Sequence, residues 1–373
     1  MKFLRLCFTG LILLGIQACQ SDPAPTEQLS AEAELGKAMF FDTSLSSPAG
    51  QSCASCHSPQ HGFADPDQLF PVSQGVHPER FGNRNTPSAA YAAYSPAFHY
   101  DEEEGLYVGG QFWDGRAATL EAQAKQPFLN PVEMNNANPE EVVNKVRRAD
   151  YAEQFESLYG KGALDEVSQA YEYIARAIAA YERSHELNPF TSKFDYYLRG
   201  KAQLSEQEMR GLKLFEAENK GNCAACHPTS MGEDGSLPLL TDFTYDNLGS
   251  PANLESPFYV MDKRFNPDGS AFRDFGLGVT TGKTEENGKV KVPTLRNIEL
   301  TAPYNHNGVF TTLRQVVDFY NTRDVDEKWG EPEIEANVNR DELGDLKLTE
   351  QEVEDIVAFM KTLTDGYESK DKN

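Results

Sequence analysis

The sequence predicts a mainly helical chain: two tandem copies of one small unit, with long loops. Three observations point there. Cys-x-x-Cys-His occurs twice, at Cys53-Ala54-Ser55-Cys56-His57 and Cys223-Ala224-Ala225-Cys226-His227. A similar helix-like segment precedes each copy, and strand patterning is scarce throughout. The 373 residues suffice for two domains of ordinary size, each burying its own core. Lys and Arg number 34 against 58 Asp and Glu, a net charge of −24. So acidic a chain repels phosphate backbones, which excludes nucleic acid as a partner. A hydrophobic fraction of 39% argues against a multi-span membrane protein, and six cysteines are too few for a disulfide scaffold.

Residues 1–18 read as a secretory signal. Lys2 and Arg5 open it, and the apolar run Phe8–Ile16 is too short to span a bilayer. The run ends at Ile16-Gln17-Ala18-Cys19, which is similar to a bacterial lipoprotein signal with lipid on Cys19 and attachment to a membrane, although Gln17 replaces the usual small residue. Removing two positive charges takes −24 to −26. Residues 19–29 read as a tether, and the compartment is expected to be the periplasm.

The first unit, 30–190, opens with Leu29–Phe40, where Ser30 can cap a helix. A helix is expected around Pro139–Tyr159. A closing helix is expected across Asp165–His185, where Val167, Tyr171, Ile174, Ile178 and Tyr181 recur at helical spacing. Residues 187–203 read as the connection. The second unit, 191–365, repeats the opening at Leu204–Phe215, with Ser205 and Glu208 forming a capping box. Gly36 and Gly211 fall at matching places, as expected where two helices cross closely. Thr349 caps a last helix over Glu350–Leu363, with Glu352 completing its box, and 366–373 is a polar tail. Stretches 58–110 and 228–290 are rich in Gly, Pro, Asp and Asn and read as long loops.

Cys-x-x-Cys-His is the attachment pattern of a c-type haem. Two thiols on one turn add to the haem vinyl groups, and the adjacent His lies under the iron as its proximal ligand. A thioredoxin-like redox pair needs no such His, and a zinc site needs more Cys or His nearby. Two full copies in an exported chain favour two c-type haems in two cytochrome c-like domains. Cys53, Cys56 and His57 would bind the first, and Cys223, Cys226 and His227 the second.

Beyond these motifs the chain resembles the bacterial dihaem cytochrome c peroxidase family, which includes MauG-like enzymes, over roughly residues 30–365. The resemblance rests on Glu34-Leu35-Gly36-Lys37, Phe40-Phe41-Asp42, Arg84-Asn85-Thr86-Pro87-Ser88, Gln111-Phe112-Trp113-Asp114-Gly115-Arg116, Gln123 through Met134, Val292–Asn297 and Leu300–Tyr304. It implies that haem one, on His57, is the peroxidatic site, with Glu133 as acid–base group and Gln123 as distal amide. It implies that His77 ligates haem one at rest and leaves on activation, although Pro78 departs from the flexible residue expected there. It places Tyr320, as in MauG-like members, at the sixth position of haem two, where ordinary peroxidases carry Met. Met261 is the alternative ligand. Trp113 matches the tryptophan between the haems. Asn85 and the carbonyls of Thr301 and Pro303 match a calcium site, where oxygen donors suit a hard cation. His306 would lie near a haem propionate, and the family often forms homodimers.

Three functions compete. The favoured one reduces hydrogen peroxide to water with electrons from a small cytochrome c or cupredoxin, basic enough to meet this acidic surface, entering at haem two and used at haem one. The second is a MauG-like oxidation of a partner protein's side chains by peroxide. The third is a pure dihaem electron carrier, against which Glu133 and Gln123 argue, since a relay needs no acid–base group. His77 favours the first and Tyr320 the second.

Overall fold

A computed structural model describes residues 28–368. The signal, Cys19, most of the tether and the end of the polar tail lie outside the described residues. The chain is mainly helical: α1 (Ala31–Phe40), α2 (Cys53–Cys56), α3 (Leu120–Ala124), α4 (Gln126–Leu129), α5 (Pro139–Val146), α6 (Ala152–Tyr159), α7 (Val167–Glu182), α8 (Lys193–Leu198), α9 (Glu206–Glu216), α10 (Leu277–Thr281), α11 (Leu313–Thr322) and α12 (Glu350–Lys361). Two antiparallel ribbons interrupt the loops: β1 (His99–Asp101) with β2 (Leu106–Val108), and β3 (Tyr245–Asp246) with β4 (Val290–Lys291). No described helix is long and apolar enough to cross a membrane.

There are two hydrophobic cores. One runs from Leu35 to Leu187 and the other from Phe194 to Leu363. Each is organised by one helix crossing, α1 on α7 and α9 on α12. Glycine makes both crossings close: a Cβ on Gly36 would run into the Ala177 carbonyl, and one on Gly211 into the Asp355 carbonyl. The caps form as the sequence predicts. Ser30 accepts from the Ala33 N–H at 3.1 Å, and the Ser205/Glu208 and Thr349/Glu352 boxes are both closed.

Two expectations change. The single helix over Pro139–Tyr159 is two helices, α5 and α6, with a turn over 147–151. Val146 and Phe155 are both buried, yet nine residues of unbroken helix would set them about 180° apart. The turn brings Phe155 back to the core. The connection over 187–203 contains α8, capped by a Ser192/Asp195 box. Its Phe194 enters the second core, and its Asp195 forms a buried ion pair with Arg296 at 2.8 Å. The spacing of Phe194, Tyr197 and Leu198 is the helical signal that was there to read.

Candidate active site

Each Cys-x-x-Cys-His opens on a cavity. The first, about 160 Å³, is lined by Cys53, Cys56 and His57; the second, about 220 Å³, by Cys223, Cys226 and His227. In both, the histidine is fixed by a backbone carbonyl: His57 Nδ1 lies 3.1 Å from Phe63 O, and His227 Nδ1 lies 2.8 Å from Leu240 O. Burial pushes both imidazoles down, His227 to about 4, so each ring is neutral. Donation from Nδ1 leaves Nε2 free as a metal ligand.

The two acceptor carbonyls are built alike. Phe63 and Leu240 have φ of 59° and 55°, a left-handed bend that turns each carbonyl towards its histidine. A loop arriving from a distance clamps each bend. Ser88 Oγ donates to Gly62 O at 2.5 Å and Ala89 N to Phe63 O at 2.9 Å. In the second copy Thr294 Oγ1 donates to Leu239 O at 2.6 Å and Leu295 N to Leu240 O at 3.3 Å. The segments Thr86-Pro87-Ser88-Ala89 and Val292-Pro293-Thr294-Leu295 are thus a second internal repeat. The sequence carries it as Pro followed by a hydroxyl residue, a signal too short to stand out alone.

These features fit a covalently attached haem. The thiols stand beside a neutral, oriented His at the wall of a mostly apolar cavity. Burial pushes Cys53, Cys223 and Cys226 up to about 12 and Cys56 higher, the opposite of the low-pKa thiolate of a thioredoxin-like redox pair. Among the described residues no group of three or more His, Cys, Asp or Glu is arranged to hold a metal ion.

Glu133 and Gln123 both line the first cavity. Glu133 sits in a turn made by Asn130, whose side chain accepts from Val132 N at 3.1 Å and donates to Glu133 Oε1 at 2.8 Å. Burial pushes its carboxyl above the usual range, against the pull of the Arg116 charge. Arg116 lines the same cavity, its guanidinium 3.5 Å from the centre of the Phe112 ring. Arg116 and Glu182, also on this wall, are site residues that sequence reasoning missed. So is Lys291 on the second wall, which donates to Gly110 O at 2.5 Å and which burial pushes down to about 8.

His77 is not brought to the cavity. Its loop packs on the Glu133 turn through Val76 N to Glu133 O at 2.9 Å, but its Nε2 lies 3.2 Å from Asn135 Nδ2, away from the lining. Met261 is likewise elsewhere: its sulfur accepts from Phe81 N at 3.1 Å. Tyr320, on α11, lines the second cavity, and its phenol makes no hydrogen bond among the described residues. Burial pushes that phenol up, so it stays neutral unless a cation displaces its proton. Trp113 lines both cavities and donates to Asn85 O at 2.8 Å. His306 lies edge-on to Trp113, ring centres 6.5 Å apart, outside both linings. Asn85, Thr301 and Pro303 share one wall of the second cavity, and Asn85 Nδ2 lies 2.5 Å from Pro303 O.

Residues 30–203 match the family model described as di-haem cytochrome c peroxidase. The methylamine utilization protein MauG of Paracoccus denitrificans (strain Pd 1222) is 41% identical, over 97% of this chain and 96% of its own. The cytochrome c551 peroxidase of Nitrosomonas europaea is 33% identical over 94% and 86%. Among solved structures, the diheme peroxidase BthA from Burkholderia thailandensis E264 superposes with a TM-score of 0.80 at 35% identity, covering 92% of this chain and 87% of that one.

Proposed function

This chain belongs to the di-haem cytochrome c peroxidase family, and on that premise we propose that it reduces hydrogen peroxide to water at a haem held by Cys53, Cys56 and His57. Cys223, Cys226 and His227 would hold a second haem, which would supply electron relay. The units are 30–190 and 191–365. The observation that carries this reading is that Glu133, a carboxyl raised by burial, lines the same cavity as the first haem motif, with Gln123 beside it.

Bound at these sites, the haems supply cleavage of the O–O bond and storage of one electron. The chain's own groups do the rest. Glu133 takes the proton from the near peroxide oxygen and returns it to the far one, so that water leaves. Asn130 holds the carboxylate that receives this proton. Gln123 orients the peroxide, and Trp113 is the bridge for electrons between the cavities. Two electrons and two protons per peroxide balance the formation of two waters. Tyr320, which lines the same cavity as His227, would supply a phenol oxygen to that haem's iron. A hard phenolate favours the higher oxidation states of that iron. His77 lies away from the first cavity, so it does not favour this reading over a MauG-like one, and the first haem would need no departing ligand.

Tyr320 and the 41% identity to MauG favour a second reading, in which the electrons come from a partner protein's side chains rather than from a small donor. We also propose a calcium ion at Asn85. With its amide turned over, Oδ1 would join the Pro303 and Thr301 carbonyls as hard donors. Export to the periplasm with lipid on Cys19 completes the proposal. Steady-state peroxide reduction with reduced cytochrome c as donor tests it. Oxidation of the donor, lost in Glu133→Gln while both haems remain, is expected. A wild-type protein that consumes peroxide but oxidises no small donor would leave the second reading.

A further inference from the structure

Glu182 is the last residue of α7 and lies on the wall of the first cavity. It is 6% exposed, and its Oε2 has no hydrogen-bond partner among the described residues. The adjacent cation does not serve it, because Arg183 pairs with Glu121 of α3 at 2.7 Å. The other basic groups on the surrounding elements are also paired: Lys37 of α1 with Glu186 at 2.7 Å, Lys125 after α3 with Glu172 at 2.7 Å, and Lys145 of α5 with Glu141 at 3.4 Å. The acidic groups there are Glu121 on α3, whose charge also raises Glu182, Glu133 on the same cavity, Glu32 and Glu34 on α1 and Glu140 and Glu141 on α5, and Cys53 faces it from α2. An unpaired buried carboxyl costs free energy that an apolar side chain would not.

The second unit shows the alternative. The crossings at Ala177 and Asp355 put the two closing helices in register. Five residues further on stand Glu182 in one and Met360 in the other, and each lines its own cavity. The same place thus holds a proton-binding group beside the first haem motif and an apolar one beside the second. Nothing on the second wall at this position can take up charge.

We propose that Glu182 is the redox-linked proton acceptor of the first cavity. Its carboxylate takes a proton from water as the haem on Cys53, Cys56 and His57 gains an electron from a one-electron reductant, and releases that proton when the electron leaves. One O–H bond forms for each electron added, so the cavity's charge is unchanged. Burial, which pushes this carboxyl up to about 8 against the Arg183 charge, puts the exchange near neutral pH. The inference rests on haem attachment and not on which substrate the enzyme oxidises.

Spectroelectrochemical titration of the two-haem protein, at pH values on both sides of about 8, tests it. The first haem's midpoint is expected to fall as pH rises in the wild type and to lose that dependence in Glu182→Gln, with Glu182→Asp restoring it. The second haem's response should be the same in all three. An unchanged slope for the first haem in Glu182→Gln overturns the proposal. Should that variant fail to carry two haems, reduced-minus-oxidised infrared spectra of the Glu133→Gln protein decide. A protonated-carboxyl band that appears on reduction and moves in D₂O supports Glu182, and its absence overturns it. Lost peroxide turnover with an intact pH slope would count against the peroxidase reading alone.

Discussion

At the scale of single residues, the chemistry turns on where two side chains sit. Glu133 must lose its proton before it can take one from peroxide. Burial raises its carboxyl, so the acid limb of kcat/KM for peroxide should lie above the ~4.3 of an ordinary Glu. Glu133→Gln should remove that limb and lower turnover by about 10²–10⁴-fold, the usual worth of a positioned acid–base group. An unchanged pH profile would take Glu133 out of the mechanism. Tyr320 offers the second test. Its phenol lines the second cavity while Met261 is held by the Phe81 amide elsewhere. Tyr320→Phe should therefore change the absorption spectrum of the second haem only, and an identical spectrum would contradict this ligation.

At the scale of elements, the sequence is most legible where local rules decide. Capping pairs such as Ser205 with Glu208 and Thr349 with Glu352 mark helix starts that tertiary packing leaves in place. Less was legible where a distant group decides. The break between α5 and α6 follows from Phe155 having to return to the core. The bends at Phe63 and Leu240 are clamped from Ser88 and Thr294, remote in sequence. The haem-attachment motifs, Glu133, Gln123 and Tyr320 do line the cavities, whereas His77 and Met261 do not. Glu182 was not legible in the sequence, because an acidic residue at a helix end reads as solvated until the cavity wall is seen. The helix crossings are testable directly. Gly36→Ala or Gly211→Ala drives a methyl into a carbonyl and should cost about 1–3 kcal/mol, read as a lower urea midpoint at unchanged slope. A midpoint equal to wild type would mean that the helices can separate without loss.

At the scale of the whole molecule, the two halves are tied by a buried charge cluster. Arg84, from the first half, pairs with Asp114 at 2.7 Å and with Asp274, from the second, at 2.6 Å. Burial opposes the Asp274 carboxylate, but the Arg84 charge wins and holds it well below the usual range. A depressed carboxylate stabilises the fold above its ordinary value of ~3.9, and this is lost as pH falls through the lower folded value. Stability against urea should therefore drop below about pH 4, and less steeply in Asp274→Asn. Equal slopes would show that the cluster does not link folding to pH. The net charge of −24 adds an expectation for association: oxidation of a basic donor should slow as salt rises.

With Glu133 on the first cavity and His77 held outside it, peroxide should react at a first haem that is open at rest. Rapid mixing of the fully oxidised two-haem protein with one equivalent of hydrogen peroxide, without prior reduction, tests it most directly. An immediate spectral change is expected in the wild type, abolished in Glu133→Gln and unaffected in His77→Ala. A wild-type protein that stays silent until one haem is reduced, and that responds at once in His77→Ala, would contradict it.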